Sequence, residues 1–319
     1  MEQWFIISCI SALISSFWSI SVKYGLQSFT SYSFAFWYSI IATIIITVYS
    51  FVKTGGIAFS KLGAFSGIGA GVAAVSLAKS FVMSPNPGFS MAIFRMQAIM
   101  TTIASVVLFN AKLTLTKWLC IALSVIGVIT IVTSKSSVEH SKKMVVRADK
   151  KSDKNENENE NKNENEKPKK NNYEWVLYAI IAGVAMTTKD LFTKKALVAG
   201  GKKVFHSLFW TTGLFQSAVL MIILLLTSKS ISLDNIKGNK STFPINKYTL
   251  IAGIAFTLYQ FAVITASKAA PNVGLVKAVD SAGMVITSFA SIYLFNSSLN
   301  TQDIIGMIMI IGGVFGLAF

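Results

Sequence analysis

PNPGFSMAIFRMQAIMTTIASVVLFNAKL, residues 85–113, is written a second time as PNVGLVKAVDSAGMVITSFASIYLFNSSL, residues 271–299. The offset is a constant 186 without a gap, and 11 of the 29 positions are identical. Shared apolar composition does not reproduce a matched Pro-Asn-x-Gly start together with a matched Leu-Phe-Asn exit. The register continues downstream, where Gly127-Val128 meets Gly313-Val314. Weaker matches tie the upstream segments together: residues 16–23 with residues 187–194 at an offset of 171, and Phe36-Trp37 with Phe209-Trp210. An internal repeat therefore governs the fold question.

Of 319 residues, 53% are hydrophobic and 13% charged, and the mean hydropathy is +0.58. The apolar residues gather in runs of about 20, the length that crosses a hydrocarbon core about 30 Å thick. The runs are continuous, whereas a membrane barrel needs alternation. Ten spans follow, at residues 4–22, 32–52, 62–81, 88–109, 115–133, 174–193, 204–227, 248–267, 273–295 and 301–319. Between the fifth and sixth lies a polar segment with the core NENENENKNENE. It has too little apolar surface to offset the entropy of ordering, so disorder is expected there. The domain division is then a first five-helix repeat at 1–133, a linker at 134–172, and a second repeat at 173–319. Five is odd, so the second half enters the membrane from the opposite side. The expected fold class is an all-α membrane protein whose ten transmembrane helices form a 5+5 inverted-topology repeat, an arrangement recurrent among secondary transporters.

A net charge of +15 suggests a nucleic-acid partner, but its distribution argues otherwise. Residues 134–172 hold 11 basic and 8 acidic side chains. Most of the remaining excess sits at the ends of apolar runs, where Lys and Arg set topology and anchor the interface. The partners expected are the lipid bilayer and a small-molecule substrate, with no nucleic acid. Lysines in the short loops divide nine to six in favour of cytoplasmic N- and C-termini,. That orientation places Asn239-Lys240-Ser241 on the outer side as a glycosylation acceptor,. The N-terminal run lacks a basic n-region and a small-residue cleavage site, so it reads as a retained first helix. Cys9 and Cys120 fall inside apolar runs and imply no disulfide framework,. There is no G-x-S-x-G, no H-E-x-x-H and no complete P-loop, and His140 and His206 are isolated. No enzyme activity, cofactor or metal is expected on these grounds.

Charged residues inside the spans carry the sharper signal: Arg95 in the fourth, Lys189 and Asp190 in the sixth, Lys277 and Asp280 in the ninth. Each costs about 2.5–3.5 kcal/mol at the bilayer centre on insertion scales, so each needs a partner or water. Lys277 and Asp280 are three residues apart and are expected to pair locally. Lys189 and Asp190 are sequence neighbours that point apart, so each needs a further partner. Phe94-Arg95 occupies the repeat positions of Asp280-Ser281, which brings Arg95 and Asp280 towards each other across the repeat axis. These groups either line a water-filled cavity or form a structural ion-pair network. Trp18, Tyr38 and Tyr259 lie deep in their spans and join the candidate substrate-binding set, against a packing role. Trp4, Trp118 and Trp175 stand at span starts and read as interfacial anchors. Lys23, Lys79 and Lys268 are close enough to helix ends to snorkel. Gly63-x3-Gly67-x3-Gly71 and Gly312-x3-Gly316 read as faces for close helix packing.

The two exits, LFNAKLTLTKWLCIALSVIGVI (residues 108–129) and YLFNSSLNTQDIIGMIMIIGGV (residues 293–314), resemble the drug/metabolite transporter superfamily in its EamA-like branch. The likeness covers nearly the whole chain apart from the linker. It implies a ten-helix transporter fold. Members of that family often carry a glutamate in the turn after the fourth and ninth helices, where this chain has Asn110-Ala111 and Asn296-Ser297. Many also have an arginine early in the second helix of each half, where this chain has Tyr38 and Thr211. Arg95 and Lys277 are similar in placement to basic groups that sugar-phosphate and nucleotide-sugar members use for phosphates.

Together these readings point to a secondary transporter moving a small polar, anionic metabolite by alternating access through a central cavity. The substrate-binding set is Arg95, Lys277, Asp280, Lys189, Asp190, Trp18, Tyr38 and Tyr259, and Asp280 is the candidate proton carrier if transport is proton-coupled. The alternative is a non-transporting membrane scaffold or receptor-like protein that keeps the transporter fold.

Overall fold

A computed structural model describes residues 3–27, 29–55, 58–84, 86–109, 114–134, 173–228, 246–270, 273–297 and 299–316. The Asn/Glu linker, the Asn239 acceptor, the turn at Asn110-Ala111, and Pro85 and Pro271 of the repeated motif lie outside them. Among the described residues there are eleven helices and no strand. They are α1 (Gln3–Gly25), α2 (Ser31–Thr54), α3 (Lys61–Met83), α4 (Pro87–Arg95), α5 (Gln97–Phe109), α6 (Leu115–Val132), α7 (Glu174–Ser228), α8 (Lys247–Ala269), α9 (Val273–Asp280), α10 (Gly283–Phe295) and α11 (Thr301–Gly316). Small polar residues start several of them as the capping rules require. Thr30, Ser60, Asn86, Thr114 and Asn246 each accept a backbone N–H of the first turn. Gly55 closes α2 and Asn296 closes α10 in left-handed conformation, which Gly and Asn adopt most readily.

Among the described residues, nine helical stretches are long and apolar enough to cross a membrane, and α11 is a shorter apolar helix. Outward-facing Phe17, Val52, Val107, Leu119 and Ile308 are all more than half exposed, as expected for side chains meeting lipid. The chain is thus an integral, multi-pass membrane protein. Helix bounds repeat with the sequence: α3 and α8 are both 23 residues long and start 186 apart, and α5 and α10 are both 13 residues long at the same spacing.

Two spans expected to be separate, residues 174–193 and 204–227, are one helical run in α7. A straight 55-residue helix would extend about 80 Å, far beyond a bilayer, and α7 instead doubles back. Helix α3 touches both of its arms. Ser80 donates to the carbonyl of Trp175 at 2.8 Å and Ser66 meets Thr193 at 3.0 Å, so the first arm runs antiparallel to α3. Along the second arm, Gly63 faces Thr211 and Gly71 faces Val219, in parallel order. Gly67 explains the closeness of this contact: a Cβ there would lie 2.5 Å from the carbonyl of Thr212. Gly69 does the same against Ala185 on the first arm, at 2.7 Å.

Helix α6 packs against α11, and here the expected glycine ladder needs correcting. A Cβ at Gly312 would find its nearest neighbour 3.8 Å away, whereas at Gly313 it would meet Ser124 Oγ at 2.2 Å and the Cys120 carbonyl at 2.4 Å. Gly306 and Gly127 lie backbone to backbone one turn pair further on. Gly316 does face α6, with a Cβ there 2.4 Å from Cys120 Sγ, so the close face is Gly306, Gly313 and Gly316, and only Gly312 falls off it. Gly313→Ala is expected to lower stability by about 1–3 kcal/mol through overpacking, while Gly312→Ala leaves it unchanged or raises it. Thermal unfolding in detergent separates the two.

The tryptophans at the span starts differ in exposure. Trp118 is 50% exposed, whereas Trp4 and Trp175 are 9% and 1% exposed and pack against neighbouring helices. Lys79 sits between the rings of Tyr32 and Tyr178, 4.8 Å from each centroid. Lys23 donates to the Phe81 carbonyl at the end of α3.

Candidate functional site

The fourth and ninth spans, expected as continuous helices, are each broken near the middle. Met96 separates α4 from α5, and Ser281-Ala282 separate α9 from α10; Met96 and Ala282 are repeat-equivalent positions. At both breaks the hydrogen bonds tighten to three-residue spacing. The Ile99 N–H donates to the Met96 carbonyl at 2.9 Å, and the Val285 N–H to the Ala282 carbonyl at 3.2 Å. Neither break contains proline, and only the second has a neighbouring glycine, so sequence offered little warning. Thr187, from the first arm of α7, donates to the Gln97 carbonyl at 3.4 Å beside the first break. The segments cross antiparallel: α4 lies against α10 and α5 against α9.

Each break places a charge at the crossing. Arg95 ends α4 and Asp280 ends α9, both with no exposed surface. Arg95 Nη1 contacts Asp280 Oδ2 directly. Around that pair, Arg95 Nη2 donates to Ser15 Oγ at 2.8 Å, Tyr259 OH donates to Asp280 Oδ2 at 2.9 Å, and Ser11 Oγ donates to Asp280 Oδ1 at 3.1 Å. The approach read from the repeat register is thus present, and α1 and α8 supply hydroxyls that complete it.

The remaining three charges form a second group. Lys277 does not pair with Asp280 as expected. Its Nζ lies 3.4 Å from Asp190 Oδ2 instead, because Asp280 is already occupied by Arg95 and Tyr259. Lys189 Nζ is 3.7 Å from Asp190 Oδ1, too long for a hydrogen bond, and donates to Gln260 Oε1 at 2.7 Å,. Each of the sequence neighbours Lys189 and Asp190 does have a further partner. Gln260, on α8, is a site residue that the sequence did not mark; a glutamine in an apolar span was its one available signal.

The deep aromatics converge on the same place. Trp18 stacks parallel to Tyr259 at 6.1 Å between centroids, and Trp18, Tyr38 and Phe256 meet pairwise at 5.4–6.1 Å. Lys277 Nζ lies 5.7 Å from the Tyr259 ring centroid, within cation–π range. All eight sequence-selected residues therefore gather around one buried centre. Several of its polar atoms have no hydrogen-bond partner: Trp18 Nε1, Arg95 Nε, Gln97 Nε2 and Oε1, Gln260 Nε2 and Lys277 Nζ.

Two small internal pockets, each about 10 Å³, meet at Phe256 and Gln260. That is room for about one water apiece. One is lined by Trp18, Tyr38 and Phe94, the other by Ser39, Thr212 and Gln216; neither is lined by Arg95 or Asp280.

Residues 3–133 match the model of the EamA-like transporter family. A solved structure described only as "Crystal structure of protein" is similar over 98% of this chain and 96% of its own, with a TM-score of 0.62 and 10% identity. At that identity the likeness concerns the fold alone. No curated protein sequence matches the chain.

Proposed function

We propose that this chain, an EamA-like family membrane protein by its first half, is a secondary transporter carrying a small polar, anionic metabolite by alternating access. The observation that carries the reading is the buried charge cluster where two broken helices cross: three cations (Arg95, Lys189, Lys277) and two carboxylates (Asp190, Asp280). A buried excess of positive charge is costly unless something neutralises it, and a bound anion does so. Discontinuous helices crossing at mid-membrane are a setting in which transporters hold substrate.

The same reading takes residues 1–133 and 173–319 as inverted repeats with cytoplasmic termini. The helix contacts support it. The first arm of α7 runs antiparallel to α3, and α1 runs antiparallel to α8, as Trp18–Phe256 and Tyr24–Tyr248 contacts indicate. Exchanging the halves converts one pairing into the other. Helices α6 and α11, packed together, join the halves at the periphery.

A second reading, a non-transporting scaffold, draws on the small size of the two pockets at Gln260, each about 10 Å³. Proteoliposomes separate the two. Filled with a mixture of unlabelled organic anions, they are expected to accumulate the labelled counterparts by counterflow, and Asp280→Asn to reduce the rate at least tenfold. Wild-type rates equal to protein-free liposomes would favour the scaffold.

A further inference from the structure

The five charges are not equivalent. Arg95 and Asp280 neutralise each other, and both carboxylate oxygens of Asp280 accept hydrogen bonds from Ser11, Tyr259 and Arg95. Of that pair only Arg95 Nε is left without a hydrogen-bond partner, and the two charges cancel. Lys189, Asp190 and Lys277 instead leave one positive charge over. Lys277 Nζ makes no hydrogen bond, and Lys189 spends one on the neutral amide of Gln260.

Two pockets adjoin this excess charge at Gln260: one is edged by Ser39, Thr43, Thr212 and Gln216, and the other, on the Trp18 side, is apolar and flat. Gln260, 4% exposed, is shared between Lys189 and the pocket lined by Trp18, Tyr38, Phe94 and Phe256. Its Nε2 and the Nε1 of Trp18, itself 5% exposed, are buried donors without partners at that wall. The rest of the lining is small or aliphatic: Ala70, Ala73, Ala74, Leu77 and Met186. Sugar hydroxyls brought into the Trp18-side pocket would lose water and find almost no replacement hydrogen bonds. An aromatic ring would stack on Trp18 and lose nothing.

Resting on the transporter reading above, we propose that Lys189 and Lys277 bind the charged end of an aromatic monoanion whose ring lies against Trp18 and Tyr38. Arg95–Asp280 is a positioning pair that ties α4 to α9 and does not touch the ligand. The pocket seen here admits about one water, so the ring enters as the helices part. Gln260 Nε2 and Trp18 Nε1 then donate to the anionic oxygens.

The probe is benzenesulfonate, which stays singly charged at any working pH, tested on purified full-length protein by thermal stabilisation and ligand titration at constant ionic strength. Benzenesulfonate is expected to bind saturably and at least tenfold more tightly than methanesulfonate, with glucose 6-phosphate weaker than benzenesulfonate. Lys189→Gln, which leaves the Asp190–Lys277 pair balanced, is expected to weaken benzenesulfonate at least tenfold; Lys277→Gln serves as a second variant. Trp18→Leu is expected to bind benzenesulfonate and methanesulfonate alike. Equal binding of the two sulfonates by wild type, or unchanged affinity in folded Lys189→Gln, overturns the proposal. Liposome uptake keeps the two readings apart. Binding without translocation sinks transport and leaves this site standing; counterflow of other anions without benzenesulfonate binding does the reverse.

Discussion

Arg95→Ala is expected to destabilise the protein by about 3–5 kcal/mol, the cost of breaking a buried pair by removing one partner. Asp280 has no exposed surface, so the stranded carboxylate would keep only the hydroxyls of Tyr259 and Ser11. The penalty is mostly the orphaned charge and not the worth of the pair. Arg95→Met with Asp280→Leu is therefore expected to recover most of the loss, since well-packed apolar replacements of buried ion pairs are often neutral or stabilising. Urea or thermal unfolding of the two single variants and the double variant in detergent supplies the cycle. An Arg95→Ala protein as stable as wild type would show that water reaches the pair and that it is not sealed as described.

Gly88→Ala is expected to cost about 3 kcal/mol, near the upper end of ordinary overpacking. A Cβ at Gly88 would lie 1.9 Å from Ser288 Oγ and 2.7 Å from Ser288 Cα. The second distance is to backbone, so rotating the serine away does not suffice; α4 and α10 must separate. Adding Ser288→Gly on the same background is expected to restore about half of the loss, because Oγ and Cβ vanish while Cα stays. Ser288 Oγ has no hydrogen-bond partner, so its removal leaves no orphan. Unfolding midpoints for the single and double variants check this. A midpoint unchanged by Gly88→Ala would mean that the crossing is looser than 2.7 Å implies.

These two positions also show where sequence reasoning was strong. The constant offset of 186 paired Phe94-Arg95 with Asp280-Ser281, and that alone predicted that Arg95 and Asp280 approach one another. Register is a one-dimensional property, and repeats preserve it. Helical spacing makes Asp280 available to Lys277 without making it free. Only the arrival of α1, α4 and α8 around Asp280 left Lys277 to Asp190, on the first arm of α7. The glycine ladder of the last helix holds at Gly316 and not at Gly312, for a related reason. Gly312 and Gly316 satisfy the spacing, but which face of α11 meets α6 depends on helix rotation, and that put Gly313 and Gly316 against Cys120 and left Gly312 open.

By itself the sequence determined that the chain is a membrane protein with ten apolar runs and a 29-residue stretch repeated at an offset of 186, and which charges lie inside the runs. Hydropathy, run length and register are properties of neighbouring residues, and a bilayer leaves the backbone few alternatives to helix. The tertiary structure decided that the fourth and ninth spans break at Met96 and at Ser281-Ala282, with no proline at either break. It also decided how five charges divide into one closed pair and one group with a charge to spare. Both outcomes depend on which side chains from distant spans converge on one low-dielectric point, where a partner a few ångströms away outweighs any local preference.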